Sequence, residues 1–140
     1  MRFEKSIEID ASQQRVWDVL TDLAAWPRRI DTVEAVELLT PAPLGTGSRV
    51  RLRQPKIPEG VWEITSWDAP ASFEWTQSST GVKNVAGHRV EPLGEGRARL
   101  TLTLDMGGPL IAIFGRFYKD LTNDYMTREA EGMKRAAEAS

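Results

Sequence analysis

The stretch that begins at Pro109 constrains this fold more than any other part of the chain. Gly107-Gly108 ends whatever precedes it, and Pro109 suits the first position of a helix, where its missing N–H leaves no bond unmade. No further proline interrupts, and Leu110, Ile113, Phe114, Phe117 and Leu121 recur at helical spacing. Read as one helix, the segment reaches about 45 Å at 1.5 Å per residue. A helix that long needs a broad apolar surface to lie against, and the upstream chain has to provide it.

Upstream the pattern is mostly of period two. Phe3, Lys5, Ile7 and Ile9 alternate with Arg2, Glu4, Ser6 and Glu8 as in a half-buried strand. Asp10 or Ser12 can cap the next segment, with Gln13 three residues after Asp10 as in a capping box. Val16, Trp17, Leu20 and Leu23 then share one helical face, and Pro27 limits that helix, so residues 22–29 form a short second helix or a bend. Strands are expected at 32–39, 48–54, 61–67, 72–78, 82–92 and 97–105, separated by turn sequences such as TPAPLGTG, PKIPEG and GEG. Consecutive strands with short connections make an antiparallel meander, and strands followed by a long helix make an α+β fold. In the strand at 61–67, Val61 and Ile64 point the alternation in opposite directions. That leaves the face of Trp62 open.

Composition narrows the function classes. The length of 140 residues fits one domain, 1–140, large enough for a core without staples. A formal net charge of −2 gives no footprint for nucleic acid or an anionic membrane. The absence of cysteine excludes disulfides, thiolate nucleophiles and zinc-thiolate sites. No apolar run has signal-peptide or membrane-spanning character, so the expected compartment is the cytoplasm and no stable membrane insertion is expected. Five tryptophans are many for this length, and such rigid aromatics either fill a core or line an apolar pocket.

The order of elements and several local motifs carry a resemblance. IEIDASQQRVWDVLTDLAAWPRRI, with Val16-Trp17, Asp22 and Trp26-Pro27, resembles the opening of START-like (SRPBCC) proteins in their polyketide cyclase/dehydrase-like branch. Gly45-x-Gly47 before a strand, Phe73-x-Trp75, His88-x-Val90-x-Pro92 and a last helix with Glu129, Lys134 and Glu138 extend it over essentially the whole chain. The resemblance implies the helix-grip fold: a curved antiparallel sheet of about seven strands around a long C-terminal helix, with two short helices between strands 1 and 2. It also implies a deep apolar cavity for lipids, polyketides or other hydrophobic small molecules. It brings no universal catalytic motif, because members do different jobs.

The candidate chemistry is sparse. His88, the only histidine, shares a strand face with Ala86 and Val90; there it is a paired core histidine, a ligand contact or a general base. Tyr118, Tyr125 and Asp124 are the possible catalytic partners on the helix. The stripe through Leu110, Phe117 and Leu121 continues onto Asp124, Arg128 and Gly132. Either the helix bends near Tyr125 or Gly132, or Asp124 and Arg128 face a wet cavity. Arg49, Arg51 and Arg53 form a basic row on one strand face, explained by a solvated face, which also blocks edge pairing if that strand is exposed. One histidine and no cysteine argue against a metal, Gly45-x-Gly47 lacks the rest of a dinucleotide motif, and no cofactor is expected.

The reading that follows is binding of a hydrophobic small molecule between sheet and helix. The expected lining is Trp26, Val50, Leu52, Trp62, Phe73, Trp75 and His88, with Phe117 and Leu121 from the helix. The alternatives are a cyclase or dehydratase using His88, and a co-chaperone-type interaction protein with a filled interior. Oligomeric state and ligand identity are not readable from the chain.

Overall fold

The computed structural model describes residues 1–139. Strand β1 (Arg2–Ile9) leads into helix α1 (Gln13–Thr21), a 3₁₀ turn at Leu23–Ala25 and helix α2 (Trp26–Arg29). Six strands follow: β2 (Ala35–Leu38), β3 (Arg49–Arg53), β4 (Gly60–Asp68), β5 (Ser72–Ser79), β6 (Val82–Gly94) and β7 (Arg97–Gly107). The chain ends in α3 (Pro109–Phe114), a 3₁₀ turn at Gly115–Tyr118, and α4 (Lys119–Glu138). All neighbouring strands are antiparallel, in the order β1-β7-β6-β5-β4-β3-β2. This is the expected curved sheet gripping a C-terminal helix. No helix among the described residues is long and apolar enough to cross a membrane.

Ser12 caps α1 by accepting from the Arg15 backbone N–H at 3.1 Å. The capping box is not formed: the Gln13 amide instead donates to the Val90 carbonyl at 2.9 Å, tying α1 to β6. Arg15 is spent at the other end of the chain. Its guanidinium donates to the carbonyls of Ala136 (3.1 Å), Ala137 (3.3 Å) and Ala139 (3.3 Å), which the end of α4 would otherwise leave open.

Two points that the sequence left open are decided by the sheet. Strand β4 carries a bulge between Ile64 and Ser66. Trp62 and Ile64 both face the helix, and the extra residue flips the alternation so that Trp67 also turns inward, onto Trp17 and Phe73. Strand β3 is not an edge, because β2 pairs with it. Its arginine row lies on the outer face, where Arg51 pairs with Glu37 and, at 3.1 Å, with Glu59.

The long C-terminal helix is present, with one break that the apolar pattern does not mark. It runs on from Pro109 but is interrupted at Gly115–Tyr118, upstream of Tyr125 and Gly132. A 3₁₀ turn advances three residues per turn, so the phase of the apolar stripe slips there. Ile113 and Phe117 end up 63% and 66% exposed, while Ile111 turns inward. Beyond the break, α4 buries Met126, Ala130, Met133 and Ala137. Asp124 and Arg128 lie on the outer surface, with Arg128 also reaching Asp31 at 3.0 Å.

Gly132 has a packing role. A Cβ there would sit 2.3 Å from the Arg29 carbonyl oxygen, so glycine lets α4 touch the backbone at the end of α2. Gly132→Ala is expected to lower stability by about 1–3 kcal/mol despite alanine's better helix propensity, since the obstacle is backbone. Urea unfolding followed by circular dichroism checks this; an unchanged or raised midpoint contradicts it.

Candidate functional site

The two halves of α4 meet the sheet differently. The C-terminal half packs solidly on the core, where Met133, Leu100, Val90 and Ile9 are essentially inaccessible. The N-terminal half stands over a cavity of about 520 Å³. That volume lies within the range of small-molecule sites, roughly 300–1,000 Å³.

Strand alternation supplies the floor: Trp75 from β5, Ala86 and His88 from β6, Leu102, Leu104 and Met106 from β7. Leu52 and Trp62 close one side, with Trp26 from α2 behind them. Leu121, Tyr125, Met126 and Glu129 from α4 form the roof. Leu110, Phe114 and Tyr118 line the cavity and are also substantially exposed, so α3 and the following turn form its rim. Gly108, at φ 105°, allows the tight approach that sets α3 there, and the Leu110 N–H donates to the Gly81 carbonyl at 3.1 Å.

The five tryptophans divide by role. Trp17 and Trp67 stack edge-on with centroids 5.1 Å apart at the solid end of the core. Trp26, Trp62 and Trp75 form the cavity wall, with Trp75 5.5 Å from Trp26 and 5.6 Å from Trp62. The Trp26 indole N–H donates to the Leu20 carbonyl at 2.9 Å, which leaves its ring as an apolar wall element.

Of the lining expected from sequence, the structure brings Trp26, Leu52, Trp62, Trp75, His88 and Leu121 to the cavity. It places three elsewhere. Val50 is fully buried in the core below the wall. Phe73 backs His88, with ring centroids 4.1 Å apart and planes within 8°. Phe117 points to solvent for the reason given by the 3₁₀ turn.

His88 is enclosed by Phe73, Trp75 and Trp26. Nδ1 lies 3.4 Å from the Phe73 carbonyl, a long contact in which only the ring nitrogen can donate. Burial is the dominant influence and lowers its pKa to about 4, with the Phe73 contact acting weakly the other way. The ring is therefore neutral near pH 7. Among its possible partners, Tyr118 and Tyr125 line the cavity and Asp124 does not. The Tyr125 hydroxyl donates to the Pro55 carbonyl; burial, then the charge of Asp124, keeps the phenol protonated.

Sequence reasoning missed Glu129. It sits on the roof one turn beyond Tyr125, and its carboxylate has no hydrogen bond or ion pair among the described residues. It is half-buried and lines the cavity. Desolvation alone raises its pKa to about 7. The signal was available: Glu129 follows Tyr125 and Met126 at the i+4 and i+3 spacing of one helix face. Asn84, inward on β6 with Ala86, was also missed; its amide donates to Gln77 Oε1 at 2.9 Å while Oδ1 has no partner among the described residues.

Glu129 and His88 shape stability in opposite directions. A carboxyl raised to about 7 in the fold is favourable below the unfolded value of 4.5, and that contribution is lost as pH rises through 7. A histidine lowered from 6.5 to about 4 contributes above 6.5 and loses this as pH falls through 4. Glu129→Gln should therefore stabilise the protein at pH 8 by the order of 1–3 kcal/mol and have little effect at pH 4.5. Urea midpoints at the two pH values check it; a pH-independent difference contradicts it.

The family described as polyketide cyclase/dehydrase and lipid transport matches residues 1–138. A START superfamily protein from Mycobacterium smegmatis superimposes with a TM-score of 0.76 at 18% identity, covering 96% of this chain and 97% of that one. The di-domain ARO/CYC protein BexL of the BE-7585A biosynthetic pathway gives 0.74 at 18% identity, over 99% of this chain and 46% of its own. Norcoclaurine synthase from Thalictrum flavum, in complex with dopamine and hydroxybenzaldehyde, gives 0.73 at 13% identity, over 100% and 89%. At these identities the structures establish the shared fold alone. The match over residues 1–138 places this chain in the polyketide cyclase/dehydrase and lipid transport family.

Proposed function

We propose that the protein binds a hydrophobic small molecule in the cavity between the sheet and the N-terminal half of α4. The observation that carries this reading is the cavity itself, about 520 Å³ with a mostly aliphatic and aromatic wall. An apolar space of that size forgoes dispersion contacts that the remaining core maintains tightly, which an apolar ligand would restore. The exposed apolar rim at Leu110, Phe114 and Tyr118 gives such a molecule a path in.

The cyclase or dehydratase reading has less support. His88 is neutral and leans on a carbonyl, Tyr125 is engaged by Pro55, and Asp124 is outside the cavity. Acid–base catalysis requires two groups converging on one substrate position, and no hydrogen bond links His88 to a second titratable side chain. The co-chaperone reading requires a filled interior, which the cavity argues against.

Native mass spectrometry of freshly purified protein, with an organic extract of the same sample, tests for a bound molecule. Ala86 faces the middle of the cavity from β6, so Ala86→Phe should occupy the space. The variant should lose at least about tenfold in affinity for apolar ligands, read by quenching of the wall tryptophans. A mass without ligand, together with a fluorescence signal unmoved by an apolar panel, would overturn the proposal.

A further inference from the structure

The cavity wall has a one-sided charge inventory. Among its lining residues there is no lysine or arginine, and its only histidine is held neutral by burial. Two carboxylates are present. Glu59, at the rim, is already paired with Arg51 at 3.1 Å. Glu129, on the roof, has no counter-charge and no hydrogen-bond donor among the described residues. The remaining titratable groups that line the cavity are the phenols of Tyr118 and Tyr125. Arg128 is held by Asp124 and Asp31 on the opposite, outer side of α4.

A buried carboxylate without a partner is costly, and proteins normally supply one. Here the space in front of Glu129 is where a ligand would lie. Resting on the cavity-binding reading above, we propose that the site selects apolar molecules that carry one basic amine, with Glu129 as the anion that holds the ammonium group. The hydrocarbon part lies along Trp62, Trp75, Leu102 and Leu104, and the amine faces the roof.

Three features of the wall favour this class over the others. An ammonium gives Glu129 a charge-assisted hydrogen bond in a low-dielectric space, where such bonds are strongest. Tryptophan faces attract a cation and do not attract an anion. A fatty-acid carboxylate finds no basic residue in the lining to offset its charge, only neutral donors, and it faces a carboxyl group on the roof. Protonation gives the site a defined exchange. With its pKa pushed up to about 7, Glu129 is divided between carboxyl and carboxylate near neutrality; where it holds its proton, an amine entering uncharged takes that proton and becomes the ammonium partner of the carboxylate, with no net proton released. An amine entering as ammonium displaces the proton to solvent. Either route ends in the same ion pair.

Matched ten-carbon probes test the inference: n-decylamine, 1-decanol and decanoate, titrated at pH 7.5 below their aggregation concentrations. Binding is read by tryptophan fluorescence, with native mass spectra confirming one molecule per chain. The amine should bind at least about tenfold more tightly than the alcohol, and decanoate most weakly. In Glu129→Gln the amine should fall to the level of the alcohol, while the alcohol changes little. Equal binding of the three probes, tightest binding of decanoate, or an amine preference that survives in Glu129→Gln would overturn the role of Glu129 and leave the cavity reading standing. If no probe binds, or if all bind unchanged to Ala86→Phe, the cavity reading fails and this inference fails with it.

Discussion

The contact on which the structure depends is the seating of α4 against the backbone of α2. Gly132 lets the helix rest on the Arg29 carbonyl, and Ala130, Met133 and Ala137 carry that close approach along the C-terminal half. Arg15 completes it by donating to three terminal carbonyls of the helix, holding its last turn against α1. A helix seated this closely at its C-terminal half over a twisted, curved sheet leaves room for its other half to stand off from the sheet. The gap that opens under its other half is the cavity. Solid core and hollow site are two consequences of one docking geometry.

That arrangement explains how one short chain can be both well packed and hollow. The aromatic network is continuous from Trp17 through Phe73 to Trp75 and Trp62, so the cavity wall is braced by the core behind it. Phe73 does not touch the space, but it holds His88 by stacking on it and accepting at its carbonyl. A preformed wall of this kind loses little entropy when a ligand arrives. The rim is different in kind: short helical turns with exposed Leu110, Phe114 and Tyr118, linked to the β5–β6 turn by one backbone hydrogen bond.

The electrostatic character follows from the same geometry. Several charged side chains on the outer sheet face and on the outside of α4 are paired with one another, as in Arg51 with Glu37 and Glu59 or Arg128 with Asp124 and Asp31. Inside, burial keeps His88 uncharged near neutrality and pushes the Glu129 carboxyl up to about 7. Among the described residues the roof of the cavity therefore holds one carboxyl poised to ionise near neutrality, which a suitable cation would fix as the anion.

Much of the architecture was legible in the chain. Period-two alternation located the strands, Gly107-Gly108-Pro109 located the start of the last helix, and the element order implied the antiparallel sheet that covers it. Local rules suffice there, because alternation and capping act between residues a few positions apart. The same rules put Trp75, His88 and Leu121 on the inward faces and misassigned Phe117, since a 3₁₀ turn shifts helical phase without any mark in the apolar pattern. The bulge that turns Trp67 inward, the core position of Val50 and the isolation of Glu129 came only with the tertiary structure. Each depends on what stands opposite in space: a partner strand, a second layer of side chains, or the lack of any charge across the cavity. Sequence determined which faces are apolar and in what order the elements come; whether two such faces touch or stand apart was decided by the approach of α4 to the Arg29 backbone, a contact between residues distant along the chain.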